Sequence, residues 1–117
     1  MLREICLTAA LSLSAPASAQ VHVGSAQAVD GDSLEMGGER FRLFGIDAPE
    51  GRQTCTRGSE TWACGEEAAA VLRRLVAGQS VSCAPKDRDH FGRIVAVCSV
   101  NGRDPGERMV RIGLAVA

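Results

Sequence analysis

The spacing of apolar residues along this chain changes several times, and each change marks an element. From Val21 to Val29 apolar and polar positions alternate loosely, interrupted at Gly24, which predicts a first strand broken at that glycine. Ser33 to Met36 predicts a second strand. Gly37-Gly38 joins it to a third, from Glu39 to Ile46, because paired glycines suit the positive φ of a tight hairpin. On this hairpin Asp32, Leu34, Met36, Phe41 and Leu43 share one face, and Ser33, Glu35, Arg40 and Arg42 share the other. The period then lengthens, with Ala68, Val71, Leu72, Leu75 and Val76 at helical spacing, which predicts a helix from Glu66 to Ala77. Glu66 and Glu67 stand early, Arg73 and Arg74 late, and Gly78 just beyond the end, in agreement with the helix dipole and the C-cap preference. Ser80 to Cys83 and Ile94 to Val100 predict two further strands around a polar turn. A second helix opens at Asp104-Pro105-Gly106-Glu107, with Asp104 as N-cap, Pro105 in the first position and Glu107 as capping-box partner, and ends at Gly113.

Three strands, a helix and two strands are the element order of a five-stranded, partly open OB-type barrel, a mainly β fold with helices (α+β). The helix then lies between strands 3 and 4. The segment before the first strand belongs to no such barrel. Met1-Leu2-Arg3-Glu4 is short and charged, Ile5 to Leu13 is largely apolar, and Ala17-Ser18-Ala19 fits a cleavage site. Residues 1–19 therefore read as a signal peptide, and residues 20–117 as a single domain that is secreted or periplasmic. The apolar run is too short to span a bilayer, so no membrane span is expected.

With Cys6 in the signal, Cys55, Cys64, Cys83 and Cys98 remain. An even count in an oxidising compartment reads as disulfides. Zinc is disfavoured, because there is no C-x2-C spacing and His22 and His90 are far apart. Four cysteines allow three connectivities, of which local geometry favours Cys55 with Cys64 and Cys83 with Cys98. The formal net charge of −1 neither supports nor excludes a polyanionic partner, since a bound dication would supply positive charge. With no tyrosine, three phenylalanines and one tryptophan, a stacking platform for single strands is poorly provisioned. Trp62 reads as packing beside the Cys55 to Cys64 loop.

The chemistry concentrates where the strands of the hairpin begin and end. Asp30-Gly31-Asp32-Ser33 precedes it and Phe41-Arg42-Leu43-Phe44-Gly45-Ile46-Asp47-Ala48-Pro49-Glu50 closes it. A carboxylate at the end of an apolar face, as Asp32 is, is costly unless it meets a cation. Pro49 forces Ala48 out of helical dihedrals, which exposes its carbonyl near the same place. Carboxylates and carbonyls suit a hard cation such as calcium, and Arg42 with Arg93 could hold a phosphate. Taken one at a time, these fragments also read as capped turns and solvated arginines.

Together and in this order, with Trp62-Ala63-Cys64-Gly65, Asp89-His90-Phe91-Gly92-Arg93 and Met109 to Ala115, they resemble the thermonuclease, or staphylococcal-nuclease-like, family. The resemblance runs from about Val29 to the last residue. It implies the OB fold and hydrolysis of DNA and RNA phosphodiesters with Ca2+, leaving 3′-phosphates. By that resemblance Asp32, Asp47 and the Ala48 carbonyl hold calcium, where relatives commonly have threonine at the last position. Arg42 and Arg93 match the two phosphate-binding arginines, and Glu50 matches the proposed general base. His90 and Phe91 fall in the substrate-binding loop, where relatives often carry Lys or Arg and Tyr. Phe91 can stack but cannot donate a hydroxyl hydrogen bond, so weaker substrate binding is expected. A monomer is expected. Family members continue into a C-terminal helix that is missing here, so Met109, Val110, Ile112, Leu114 and Val116 are expected to leave apolar surface uncovered and to weaken the domain. The second reading is a non-catalytic OB-fold module that binds nucleic acid or accompanies envelope or exopolysaccharide functions. A third, a disulfide-stapled structural protein, accounts for the cysteines but not for the carboxylates and arginines.

Overall fold

The computed structural model describes residues 20–117, so the signal-peptide assignment lies outside the described residues. The first predicted strand forms as two pieces, β1 (His22–Gly24) and β2 (Gln27–Asp30). β3 (Ser33–Met36) and β4 (Glu39–Leu43) make the expected hairpin, with Leu34 opposite Phe41 and Ser33 opposite Arg42. Gly37 and Gly38 both take positive φ in its turn. β4 stops at Leu43 rather than Ile46, because Gly45 at φ 79° turns the chain away.

A small hairpin absent from the sequence reading follows, β5 (Cys55–Arg57) and β6 (Glu60–Trp62), in which Cys55 faces Trp62. Trp62 packs against the core, as expected for a residue beside that loop. Helix α1 (Cys64–Val76) starts two residues before the predicted Glu66, and Ala63 at its N-cap gives no side-chain hydrogen bond. The carbonyl of Gln53 instead accepts the Gly65 N–H at 3.0 Å, so the preceding loop supplies the cap. β7 (Val81–Arg88) runs five residues past the predicted Cys83, and a register shift between Pro85 and Asp87 accommodates the proline within it. β8 (Ile94–Val100) matches its prediction.

In α2 (Pro105–Ile112) Asp104 accepts the Gly106 and Glu107 N–H groups, and Gly113 closes the helix at φ 89°. Glu107 does not complete the expected capping box. Its carboxylate pairs with Arg111 at 2.7 Å, one turn along.

The main sheet has the order β1-β7-β8-β4-β3-β2. Its two edges are consecutive pieces of one run of chain, so the sheet curls toward closure and two helices flank it. This mixed α+β half-barrel is consistent with an OB-like fold. All pairings are antiparallel except β4 with β8, which brings Phe41, Arg42 and Leu43 beside Ile94, Val95 and Ala96. Leu34, Phe41, Leu43, Leu72, Val76 and Val81 fill the interior, where fully burying one such side chain contributes about 1.5 to 3 kcal/mol. Gly31 is required at the α1 contact, since a Cβ there would lie 2.6 Å from that of Ala68 and 2.9 Å from that of Ala48.

The last segment corrects part of the expectation of an uncovered apolar end. Met109, Leu114 and Ala115 are buried, and Val116 exchanges backbone hydrogen bonds with Asp47, each at 2.8 Å. Only Ile112 and Val116 of the apolar residues in question are exposed.

Candidate active site

Asp32 leaves β2 into the barrel mouth and meets its cation there. Its side chain is 10% exposed and stands 3.5 Å from Nη1 of Arg42. Oδ2 accepts the Ala48 N–H at 2.9 Å, and Oδ1 accepts the Ser33 hydroxyl at 3.0 Å. No buried side-chain oxygen or nitrogen among the described residues lacks a partner.

Arg42 reaches this point from β4. Its guanidinium donates to the Ile46 carbonyl at 2.7 Å and stands 3.4 Å from Oδ1 of Asp47, so Asp32 and Asp47 converge on one cation. The side chain of Asp47 is 76% exposed, which leaves most of its oxygen surface open to solvent.

Arg93 arrives on the neighbouring strand, one residue before β8, because β4 and β8 run parallel. Its Nε donates to Oδ2 of Asp89 at 2.8 Å, and its Nη1 stands 3.5 Å from Ser33 Oγ. Asp89 Oδ1 accepts the Phe91 and Arg93 N–H groups at 3.0 and 2.9 Å. Desolvation pushes the Asp89 carboxyl up, but the backbone and guanidinium hydrogen bonds of Arg93, its charge and the Phe91 N–H together outweigh it. The carboxyl therefore titrates below its ordinary value.

Phe91 is 71% exposed, lies 4.0 Å from the His90 ring and has the Arg93 guanidinium over its face at 5.2 Å. Arg42, Asp47, His90, Phe91 and Arg93 line one open cleft of about 460 Å³. Asp47 and Ala48 line an adjoining depression with Pro49 and Gln53. The larger depression over α2, lined by Arg103, Glu107, Arg108 and Arg111, shares no residue with either.

The structure thus brings together Asp32, Arg42, Asp47, Ala48 and Arg93, with His90 and Phe91 on the rim. Glu50 stands on an exposed turn beyond Pro49 and does not line the cleft. Of Ala48 it is the N–H that is engaged, to Asp32. Among the described residues no three His, Cys, Asp or Glu side chains gather as a metal cluster. The donor chemistry still fits a hard dication: two carboxylates meet at one place, each with lone pairs to spare, and water or phosphate would complete a shell of roughly six to eight oxygens.

Ser33 and Asp89 join the candidate site through their contacts, although the sequence alone gives neither a role. Ser33 links the Asp32 carboxylate to Arg93, and Asp89 aims Arg93. The signal for Asp89 is its spacing of four from Arg93 across a glycine turn, whereas that for Ser33 needs the β4–β8 pairing. The disulfides follow the favoured connectivity, with Cys55 bridged to Cys64 and Cys83 bridged to Cys98.

A family model described as staphylococcal nuclease homologue matches residues 40–117. The succinoglycan biosynthesis protein ExoI of Rhizobium meliloti (strain 1021) is 36% identical over 114 residues, covering 94% of this chain and 59% of the relative. An Escherichia coli protein named as an uncharacterized endonuclease is 33% identical over 102 residues, 83% of this chain and 61% of its own. Protein ParB of Escherichia coli is 32% identical over 122 residues, with 97% and 64% covered. The chain therefore spans about three fifths of the length of these relatives.

Proposed function

The chain belongs to the staphylococcal nuclease homologue family, and from that premise we propose that it is a calcium-dependent nuclease hydrolysing DNA and RNA phosphodiester bonds. The observation that carries this reading is the meeting of Arg42 and Arg93 from neighbouring strands around the Asp32-Ser33 corner. Two guanidinia beside one cleft can share the non-bridging oxygens of a phosphodiester and hold the extra negative charge of the pentacoordinate transition state. The planar guanidinium fork matches the oxygens of a phosphate, so their role is charge stabilisation.

Asp32 and Asp47, with the Ala48 carbonyl, are the residues that would hold calcium, which supplies a positive charge to polarise a phosphate oxygen. Glu50 accepts the proton of the water that attacks phosphorus. The bond to the 5′ oxygen breaks, that oxygen takes a proton from solvent water and leaves as a 5′-hydroxyl, and a 3′-phosphate remains. His90 and Phe91 offer the flat face on which an adjacent base lies, with Arg93 behind it.

In the same reading β1 and β2 count as one strand of a five-stranded OB barrel, the domain acts as a monomer, and its location is secreted or periplasmic. Two disulfides favour an oxidising compartment. Among the described residues no helix is long and apolar enough to cross a membrane.

Plasmid degradation with calcium against chelator tests the proposal. Cleavage is expected with calcium and is expected to fall by roughly a hundredfold or more in Arg42→Ala, Arg93→Ala or Glu50→Gln. Undiminished cleavage in chelator would remove the calcium requirement. A second reading, a module that binds without cutting, draws on the pairing of Arg42 with two carboxylates. It predicts retention of nucleic acid in a mobility assay with no cleavage under any metal.

A further inference from the structure

The Glu50 side chain is exposed, so where its carboxylate points depends on the backbone that carries it. That backbone is tied down on several sides. Asp30 Oδ1 accepts the Gly51 N–H at 3.0 Å, and the Glu50 carbonyl accepts the Gln53 N–H at 2.8 Å. The Gln53 side chain returns to accept the Glu50 N–H at 3.2 Å, while the Gln53 carbonyl caps Gly65 in the first turn of α1. A Cβ on Gly65 would lie 1.6 Å from the Glu50 carbonyl oxygen, so the helix start rests directly on the peptide of Glu50.

The Cys55–Cys64 bridge closes this loop covalently. Cys64 is fully buried as the first residue of α1, and α1 is anchored in the core by Ala68, Leu72 and Val76. Segment 50–55 is thereby fastened at one end to Asp30 and at the other to a helix that cannot shift without disturbing the core. Cys83–Cys98 has no such connection. It joins β7 to β8 inside the barrel, and neither cysteine lines the cleft.

We propose that Cys55 and Cys64 are positioning residues for Glu50, their disulfide holding the 50–55 loop against Gly65 and so fixing the backbone from which the exposed carboxylate reaches the attacking water. The proposal rests on Glu50 acting as general base. Opening the bridge leaves Arg42 and Arg93 in place, so substrate binding persists while turnover falls.

The test is a double-mutant cycle in the full chain, joining Cys55→Ser/Cys64→Ser with Glu50→Gln, with kcat and KM measured on plasmid or oligonucleotide DNA. In the wild-type background, removing the bridge is expected to lower kcat about tenfold or more with KM changed less than about twofold. In the Glu50→Gln background the same removal is expected to change kcat less than about twofold, because the group being positioned is already gone. Hydrogen exchange at the Gly51, Gln53 and Gly65 amides is expected to accelerate in the bridge variant, a readout independent of activity.

If the bridge variant does not fold cooperatively, the oxidised protein is treated with a dithiol instead. Its thiolate attacks the sulfur of the partly exposed Cys55, releasing the Cys64 thiol, and its second thiol then releases the Cys55 thiol, the reductant leaving as its own disulfide, ahead of the Cys83–Cys98 pair, in which both cysteines are buried. Wild-type kcat in Glu50→Gln would overturn the general-base reading and this proposal with it. An impaired Glu50→Gln beside a fully active bridge variant would overturn the positioning role alone. Equal fractional losses in both backgrounds would do the same, reducing the bridge to a structural staple.

Discussion

Arg93 comes to the cleft from a turn, and Asp89 fixes where its charge lies. The carboxylate binds Nε of Arg93 with one oxygen and the Phe91 and Arg93 N–H groups with the other, so turn and guanidinium are set together. Asp89→Asn is expected to lower kcat/KM on the order of tenfold to a hundredfold, because a phosphate ligand moved by about an ångström loses its alignment. The same change should alter the pH dependence of stability. The folded carboxyl titrates below its ordinary value of 3.8, so its contribution is present above that value and is lost as pH falls through the lowered folded value. Chemical denaturation should therefore find Asp89→Asn less stable than wild type at neutral pH, with the gap closing in acid. A gap that stays constant with pH would show that Asp89 is not ionised and paired in the folded chain. Asp32, Arg42, Asp47 and Arg93 stand out in the sequence only through the motifs they share with the family, since each alone also reads as a capped turn or a solvated arginine, and the structure brings the four together. The role of Ser33 does not, since its partner lies sixty residues away and is reached only through strand pairing.

At the scale of elements, the loop after β4 and the start of α1 are built against each other, and Gly65 is the point of contact. Gly65→Ala is expected to cost about 1 to 3 kcal/mol or more, since the new methyl meets a backbone carbonyl that cannot rotate aside. Gly106→Ala is the informative contrast. Its Cβ would meet Asp104 Oδ1 at 3.0 Å and Ile46 side-chain carbons at 3.5 and 3.6 Å, which can yield by small shifts. Urea denaturation of the two variants should separate them, and a Gly65→Ala as stable as Gly106→Ala would mean that the α1 start is not pressed on Glu50. The β3–β4 hairpin, both helices and β8 could be read from the chain because periodicity and end signals agree within each segment. The β5–β6 hairpin could not, as two polar three-residue strands have no period to detect. β7 extends beyond its predicted end because the polar residues after Cys83 read as a turn, and the bulge that carries the strand through Pro85 depends on the partner β8.

For the molecule as a whole, closure of the sheet is a non-local event. β1 finds β7 while β2 finds β3, and β4 lies parallel to β8, none of which hydrophobic pattern alone prescribes. The cysteines carry more of that information than the apolar residues do, because Cys83 and Cys98 face each other in register on β7 and β8 and are 0% and 1% exposed. The two strands are already joined by a turn and a full antiparallel ladder, so the bridge acts mainly by restricting the unfolded chain. A closed loop of this length is worth about 3 kcal/mol in that account. Cys83→Ala/Cys98→Ala is thus expected to lower unfolding free energy by about 2 to 4 kcal/mol, a large part of what a domain of this size possesses. Its cleft lies on other residues, so below its unfolding transition the variant should keep wild-type kcat and KM. Denaturation curves with and without the bridge, read beside turnover at a temperature where both proteins are folded, test the two halves together. Loss of turnover in a fully folded variant would mean that the β7–β8 ladder shapes the cleft and that the bridge is not a device for stability alone.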